Sequence, residues 1–425
     1  MPTLRALMRQ GSYGRLESVT PPITVPAWAC MTTGDDPGAL GIYGFRNRKD
    51  YSYDGLGMVT SASVRSPAIW DLLGAEGRDA IVIGVPPSYP PRPVRGHVVS
   101  CFMTPSAKSA YTWPPALKAE LEEHLGPYLF DVTDFRTNDK AALLRRIYEV
   151  TEQKFAIARY LMTHKPWDLC MFVDMGPDRL HHGFWKFWDR EHIRYTRGNP
   201  FQNAFEDYYA ALDRQIAGVL ALVDDDTAVL VVSDHGAKRM DGAICINEWL
   251  RHEGYLVLKE TPSGVQKLET SSVDWRRTLA WGEGGYYSRL ALNVRGREPD
   301  GVVEVSAYER VRDELIEGLQ RLGDEQGRLI GTRVYRPEEL YPVRRGIPPD
   351  LIAIFGDLHW RSVGSVGFNS CWTRENDTGP DDANHAQHGM FISTGLPLPA
   401  GEISGLKLLD IAPLLKRTLR LHEAA

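Results

Sequence analysis

Ala228-Val229-Leu230-Val231-Val232-Ser233-Asp234-His235-Gly236 is the stretch on which the reading of this chain turns. Its first five residues are apolar without alternation, the pattern of a strand covered on both faces of a mainly parallel sheet. Open α/β sheets bind ligands beyond the carboxyl ends of such strands. Asp234 and His235 therefore stand where a site would form, and an adjacent carboxylate and imidazole suit Zn²⁺ or Mn²⁺. The same residues also fit an Asp capping a turn beside a solvent-facing His, so this stretch alone does not decide function.

Working outward, apolar runs at 80–85, 167–173 and 351–355 alternate with helical patterns over 141–163, 201–222 and 306–322. That alternation predicts an α/β fold with a central, mostly parallel sheet flanked by helices. The stretch from about 254 to 342 reads differently and is expected to form a small α+β insertion within one domain spanning 1–425.

Composition narrows the function classes. A net charge of −6 over 425 residues carries no polyanion-binding signature, so nucleic acid is not an expected partner. No apolar stretch approaches a membrane span and the N-terminus lacks the apolar core of a signal peptide; the cytoplasm is expected, with no membrane partner. Five well-separated cysteines without a CxxC pair argue against a disulfide framework or a thiolate zinc site. The oligomeric state has no signature.

Three further segments carry chemistry. In Asp174-Met175-Gly176-Pro177-Asp178-Arg179-Leu180-His181-His182, Pro177 suits a helix start, and Asp178 and His182 then share one face, four residues apart. Two such side chains grip one ion, although an acid complementing the helix dipole beside an incidental His is an equal reading. Asn384-His385-Ala386-Gln387-His388-Gly389 offers His385 in a long polar loop, where a lone His is commonly a surface residue. In Pro21-Pro22-Ile23-Thr24-Val25-Pro26-Ala27-Trp28, Pro26 opens a predicted helix that Gly34 ends, putting Thr24 just ahead of a phosphate-attracting N-terminus. Thr24 is either a nucleophile, if something removes its proton, or simply a cap.

Together ITVPAWACMTTG, PDRLHHGFW, VVSDHG and NHAQHGMFI resemble the type I phosphodiesterase/nucleotide pyrophosphatase branch of the alkaline phosphatase superfamily, over the chain to about Leu415. The resemblance implies an alkaline-phosphatase-like core and two divalent metal ions, zinc expected and manganese compatible. It makes Thr24 the transiently phosphorylated nucleophile and also a metal contact. Asp178, His182 and His385 would hold the first ion, and Asp234 and His235 the second, with His388 a neighbour. Asn47 is the nearest match to an asparagine that binds a phosphate oxygen, and Tyr43, Arg46 and Arg48 would face substrate. The implied substrate is a small phosphorylated metabolite, a nucleotide among the candidates, hydrolysed as a diester in preference to a monoester. Phosphomutase or phosphonate hydrolase activity is the alternative; a non-catalytic phosphate-ligand-binding relative is the alternative of another class.

One departure stands out. Relatives of this kind begin with a strand ending in a metal-binding Asp, whereas Glu17 is the only acid before Thr24 here. Three accounts compete. The natural chain extends upstream of Met1, the expected account, since a lost central strand leaves unpaired backbone groups costing about 1–3 kcal/mol each if buried. Otherwise Asp174 stands in as ligand, or the second metal is lost.

Overall fold

In the computed structural model, which describes residues 1–422, the predicted alternation appears with modest shifts at element ends. The strands lie at Ala80–Ile83, Leu169–Phe172 and Val229–Val232, and the long helices at Lys140–His164, Ala204–Leu220 and Tyr308–Gln320. Lys140–His164 starts where the Asp139 carboxylate accepts the Ala142 N–H, a side-chain cap for an otherwise unpaired donor. Its Leu143, Ile147, Val150, Ile157 and Leu161 form the apolar stripe that such a helix lays on a core.

Two four-stranded sheets carry the site. In the first, Ala80–Ile83 runs parallel to both Gly96–Val99 and Leu169–Phe172. In the second, Ser12–Glu17 lies between Gly401–Lys407, to which it is parallel, and His388–Thr394, to which it is antiparallel; Val229–Val232 pairs antiparallel with the far edge of His388–Thr394. Ser12–Glu17 was invisible in the sequence because SYGRLE has little apolar alternation; its neighbours make it a strand.

Leu169–Phe172 and Val229–Val232 each have one strand partner only among the described residues. All eight of their residues are only half-buried despite an apolar sequence that reads as fully covered. Each strand therefore keeps one edge whose backbone groups no other strand pairs among the described residues. Both strands nonetheless pack onto one apolar cluster through Leu169, Met171, Leu230 and Val232, together with Trp28, Met31 and Phe391.

Leu351–Ile354, read from its apolar run as a core strand, pairs antiparallel with Ser288–Leu292 and Arg333–Tyr335. It belongs to a separate sheet with its own core around Leu290, Leu315 and Phe355. A short apolar run reports burial, not which sheet buries it.

Candidate metal and phosphoryl-transfer site

The metal-ligand candidates come from one helix, one strand and the turn between two strands. Gly176–Trp188 begins just after Leu169–Phe172, and places Asp178 and His182 one turn apart, with His182 Nε2 3.4 Å from Asp178 Oδ1. Asp234 and His235 lie between Val229–Val232 and Gly236–Arg239. His385 is not in a loop: Ala383–Ala386 pairs antiparallel with Gly236–Arg239, His385 opposite Ala237. That short ladder stacks the His235 and His385 rings at 3.7 Å.

Asp178, His235 and His385 each offer a ligand atom within 4.8 Å of the others. His385 Nε2 is 3.9 Å from Asp178 Oδ1, and His235 Nε2 is 3.3 Å from Asp234 Oδ2. Thr24 is the first residue of the helix Thr24–Thr33, not the residue ahead of it, and Gly34 closes that helix in the left-handed conformation. Its buried Oγ1 lies 3.3 Å from His235 Nε2.

The chemistry of this donor set fits divalent cations. The Nδ1 atoms of His182, His235 and His385 face Asp381 Oδ1 at 2.7 Å, the Gly236 carbonyl at 2.9 Å and the Pro22 carbonyl at 2.8 Å. Each nearest partner is an acceptor, so Nδ1 carries a hydrogen and Nε2 is the atom that ligates, the usual arrangement of metal-binding histidines. Asp234 Oδ2 is buried without a hydrogen-bond partner, an omission a bound cation would repair.

Charge tells the same story. Burial pushes the Asp234 carboxyl up to about 6, with His235 the chief opposing influence. Burial also works against ionising Asp178, but His182 and Arg179 outweigh it and hold the carboxyl well below its usual range. His182 resists charging through burial, yet the carboxylates of Asp381 and Asp178 raise it to about 9. His385, buried beside His235 and His182, is driven well down. Burial thus opposes charge at every one of these groups, and the neighbouring carboxylates and imidazoles decide which of them ionise.

A cavity of about 940 Å³ opens over Thr24, Asp178, His182 and His385. Arg46 reaches its wall, with its Nε 3.2 Å from Met58 Sδ. The other expected substrate contacts are turned elsewhere. Asn47 accepts the Tyr43 N–H at 2.8 Å and donates to the Gly44 carbonyl at 3.4 Å, so its amide pins a turn. Tyr43 is buried and donates its hydroxyl to the Arg345 carbonyl. Arg48 pairs with Glu298 at 3.0 Å and lies over Trp281. Each side chain is engaged by a nearer protein partner.

Asp174 is likewise engaged: it accepts hydrogen bonds from Thr151 Oγ1, Tyr208 OH and the Gly176 N–H, and takes no part in the convergent donor group. Arg179 turns to carboxylates, gripping Asp131 at 2.6 and 2.8 Å and Asp178 at 2.7 Å. His388 is exposed, opposite Glu17 in the sheet ladder.

Sequence reading missed Asp381, Tyr286 and Arg136. The Tyr286 ring lies tilted with its centroid 4.2 Å from that of His385, and its hydroxyl meets Asp381 Oδ2 at 3.2 Å, where Arg136 also donates at 3.1 and 3.2 Å. The acid pair just before His385 was the one available signal for Asp381; nothing marked the other two.

A buried nucleophile candidate beside carboxylate and imidazole donors, at the strand ends of an α/β core, defines a metal-dependent phosphoester hydrolase. The profile of the type I phosphodiesterase/nucleotide pyrophosphatase family matches residues 1–389, and the chain belongs to that family. Among solved structures it is similar to human ectonucleotide pyrophosphatase/phosphodiesterase 5, at 14% identity and a TM-score of 0.55 over 100% of this chain and 91% of that one. It is similar to phosphonoacetate hydrolase from Sinorhizobium meliloti in complex with phosphonoformate, at 18% identity and 0.60 over 99% and 90%. An inactive murine ectonucleotide pyrophosphatase/phosphodiesterase 5 in complex with AMP aligns at 12% identity and 0.56 over 100% and 91%. No curated protein sequence matches the chain. The fold is accordingly the α/β fold of the alkaline phosphatase superfamily.

Proposed function

We propose that this protein is a two-metal phosphodiesterase that works through a phosphothreonine at Thr24 on a small phosphorylated metabolite. The observation that carries the reading is the 3.3 Å approach of the Thr24 hydroxyl to His235 within the convergent donor group. Asp178, His182 and His385 would hold one ion, and Asp234 and His235 the other, zinc being the better fit to imidazole-rich donors. Bound cations supply the positive charge that makes a threonine hydroxyl acidic enough to attack and that neutralises a departing oxygen.

In the first step Thr24 Oγ1 bonds to phosphorus as the bond from phosphorus to the leaving alkoxide breaks, and the proton that Oγ1 loses ends on that alkoxide, which departs as the alcohol. Water then attacks the phosphothreonine, its proton goes to the threonine oxygen, and the free phosphate monoester departs. The first N–H groups of Thr24–Thr33 lie at the end of the helix whose dipole favours an anion, which supports phosphate beside Thr24. A nucleotide substrate is supported by the AMP complex of the murine relative.

The test is turnover of bis(p-nitrophenyl) phosphate together with metal analysis. We expect two ions per chain, loss of turnover on chelation, and a fall of about a thousandfold or more, some 4 kcal/mol of barrier, in Thr24→Ala. Full activity in Thr24→Ala excludes the covalent route; one ion or none with no turnover supports a non-catalytic ligand-binding relative.

A further inference from the structure

The cavity also holds a guanidinium, set over the Tyr286 ring, whose hydrogen-bond donors the protein leaves unused. Arg361, on the strand Trp360–Val363, is only 5% exposed and lines the same cavity as Thr24 and His182. Its Nε and Nη1 are buried and donate to no protein acceptor. The carboxylates nearby stand too far off for hydrogen bonds: Asp377 Oδ1 is 3.8 Å from Nη2 and Asp381 Oδ2 is 4.0 Å from Nη1.

Those carboxylates are also committed elsewhere. Asp377 Oδ2 accepts from Ser365 Oγ at 2.8 Å, while Asp381 is taken by His182, Arg136 and Tyr286. Both acids thus balance charge without satisfying the guanidinium donors. A buried donor left unmade is costly, and a planar fork of such donors matches the oxygens of a carboxylate or phosphate. Arg136 also lines the cavity and bridges Tyr286 and Asp381, so two guanidinium groups approach the same carboxylate. Asp381, which bonds His182, separates Arg361 from the metal-donor cluster.

From this geometry we propose that Arg361 is a specificity residue that receives a second anionic oxygen group of the substrate, a carboxylate or a phosphate, held beyond the phosphoryl group that reacts at Thr24. The proposal deepens the phosphodiesterase reading and rests on it for where the reacting phosphoryl sits. It assigns the substrate class as small phosphodiesters that carry a second anionic end, preferred over simple dialkyl or aryl diesters.

The test uses p-nitrophenyl phosphodiesters whose second alcohol ends in a methyl, a carboxylate or a phosphate on a chain of one to three carbons. For the best chain length, the metal-loaded protein is expected to prefer an anionic ester to its methyl counterpart by about tenfold or more in kcat/KM. The ratio collapses toward one in Arg361→Gln and is partly kept in Arg361→Lys, which retains the charge but loses the fork. Because a general structural defect lowers all esters alike, the ratio isolates the anion contact; thermal unfolding of both variants checks that they fold. The carboxylate and phosphate arms show which group the site takes. Should none of the esters turn over, the hydrolytic reading fails, and calorimetry with the matching phosphomonoesters still decides the anion site by the same ratio. No preference at any chain length, or a preference unchanged in Arg361→Gln, overturns the proposal.

Discussion

Asp381 Oδ1 lies 2.7 Å from Nδ1 of His182, so the ring is turned to present Nε2 toward Asp178. A carboxylate in that position fixes the tautomer and the basicity of a ligating imidazole, and its loss typically weakens metal binding 10–100-fold. Asp381→Ala is expected to fall in that range by competition with a calibrated chelator while Asp381→Asn loses less. An unchanged affinity in Asp381→Ala would mean that His182 does not bind the ion.

Metal uptake should depend on pH through His182. Burial opposes its charge, but the flanking carboxylates raise it to about 9. Its Nε2 must shed a proton before it can ligate, so cation affinity rises with pH and levels off only above about 9. Calorimetry in buffers of different ionisation enthalpy should record proton release near pH 7. Asp381→Asn removes a charge that holds the proton, so its affinity levels off at lower pH.

A second titration lies away from the donor cluster. Lys154 is buried against Tyr128, and burial lowers its ammonium from 10.5 to about 8, with Asp174 opposing the fall. Between those values the unfolded chain binds the proton that the native state has released, so this group adds stability as pH rises and costs stability below about 8. Relative to Lys154→Met, the wild type should gain on the order of 3 kcal/mol between pH 8 and 10.5 in chemical denaturation. A flat difference across that window would show that Lys154 titrates normally.

Gly176, at the start of the Asp178 helix, has no room for a methyl group. A Cβ there would sit 2.0 Å from the Tyr208 hydroxyl and 2.2 Å from Thr151 Oγ1, the two groups that hold Asp174. Gly176→Ala is therefore expected to destabilise by about 1–3 kcal/mol and to lower metal affinity by shifting Asp178 and His182 together. Unaltered denaturation and metal titration curves would show that the helix start yields at no cost.

The sequence by itself determined what depends on neighbours along the chain. Unalternating apolar runs marked the strands at Ala80–Ile83, Leu169–Phe172 and Val229–Val232, and a four-residue spacing after Pro177 put Asp178 and His182 on one helical face. Backbone periodicity fixes such features within a few residues, so they are legible without a fold. The tertiary structure alone decided which distant groups meet. Asp381 is 199 positions from His182, and the Tyr286 and Arg361 that surround it come from other strands and loops. It also decided that Asn47 and Tyr43 spend their polar atoms on backbone groups, since whether a side chain faces substrate or a closer protein partner depends on packing that no local pattern encodes. For the same reason Leu351–Ile354 joined an antiparallel sheet: its apolar character demanded burial, and only the assembled fold chose its partners.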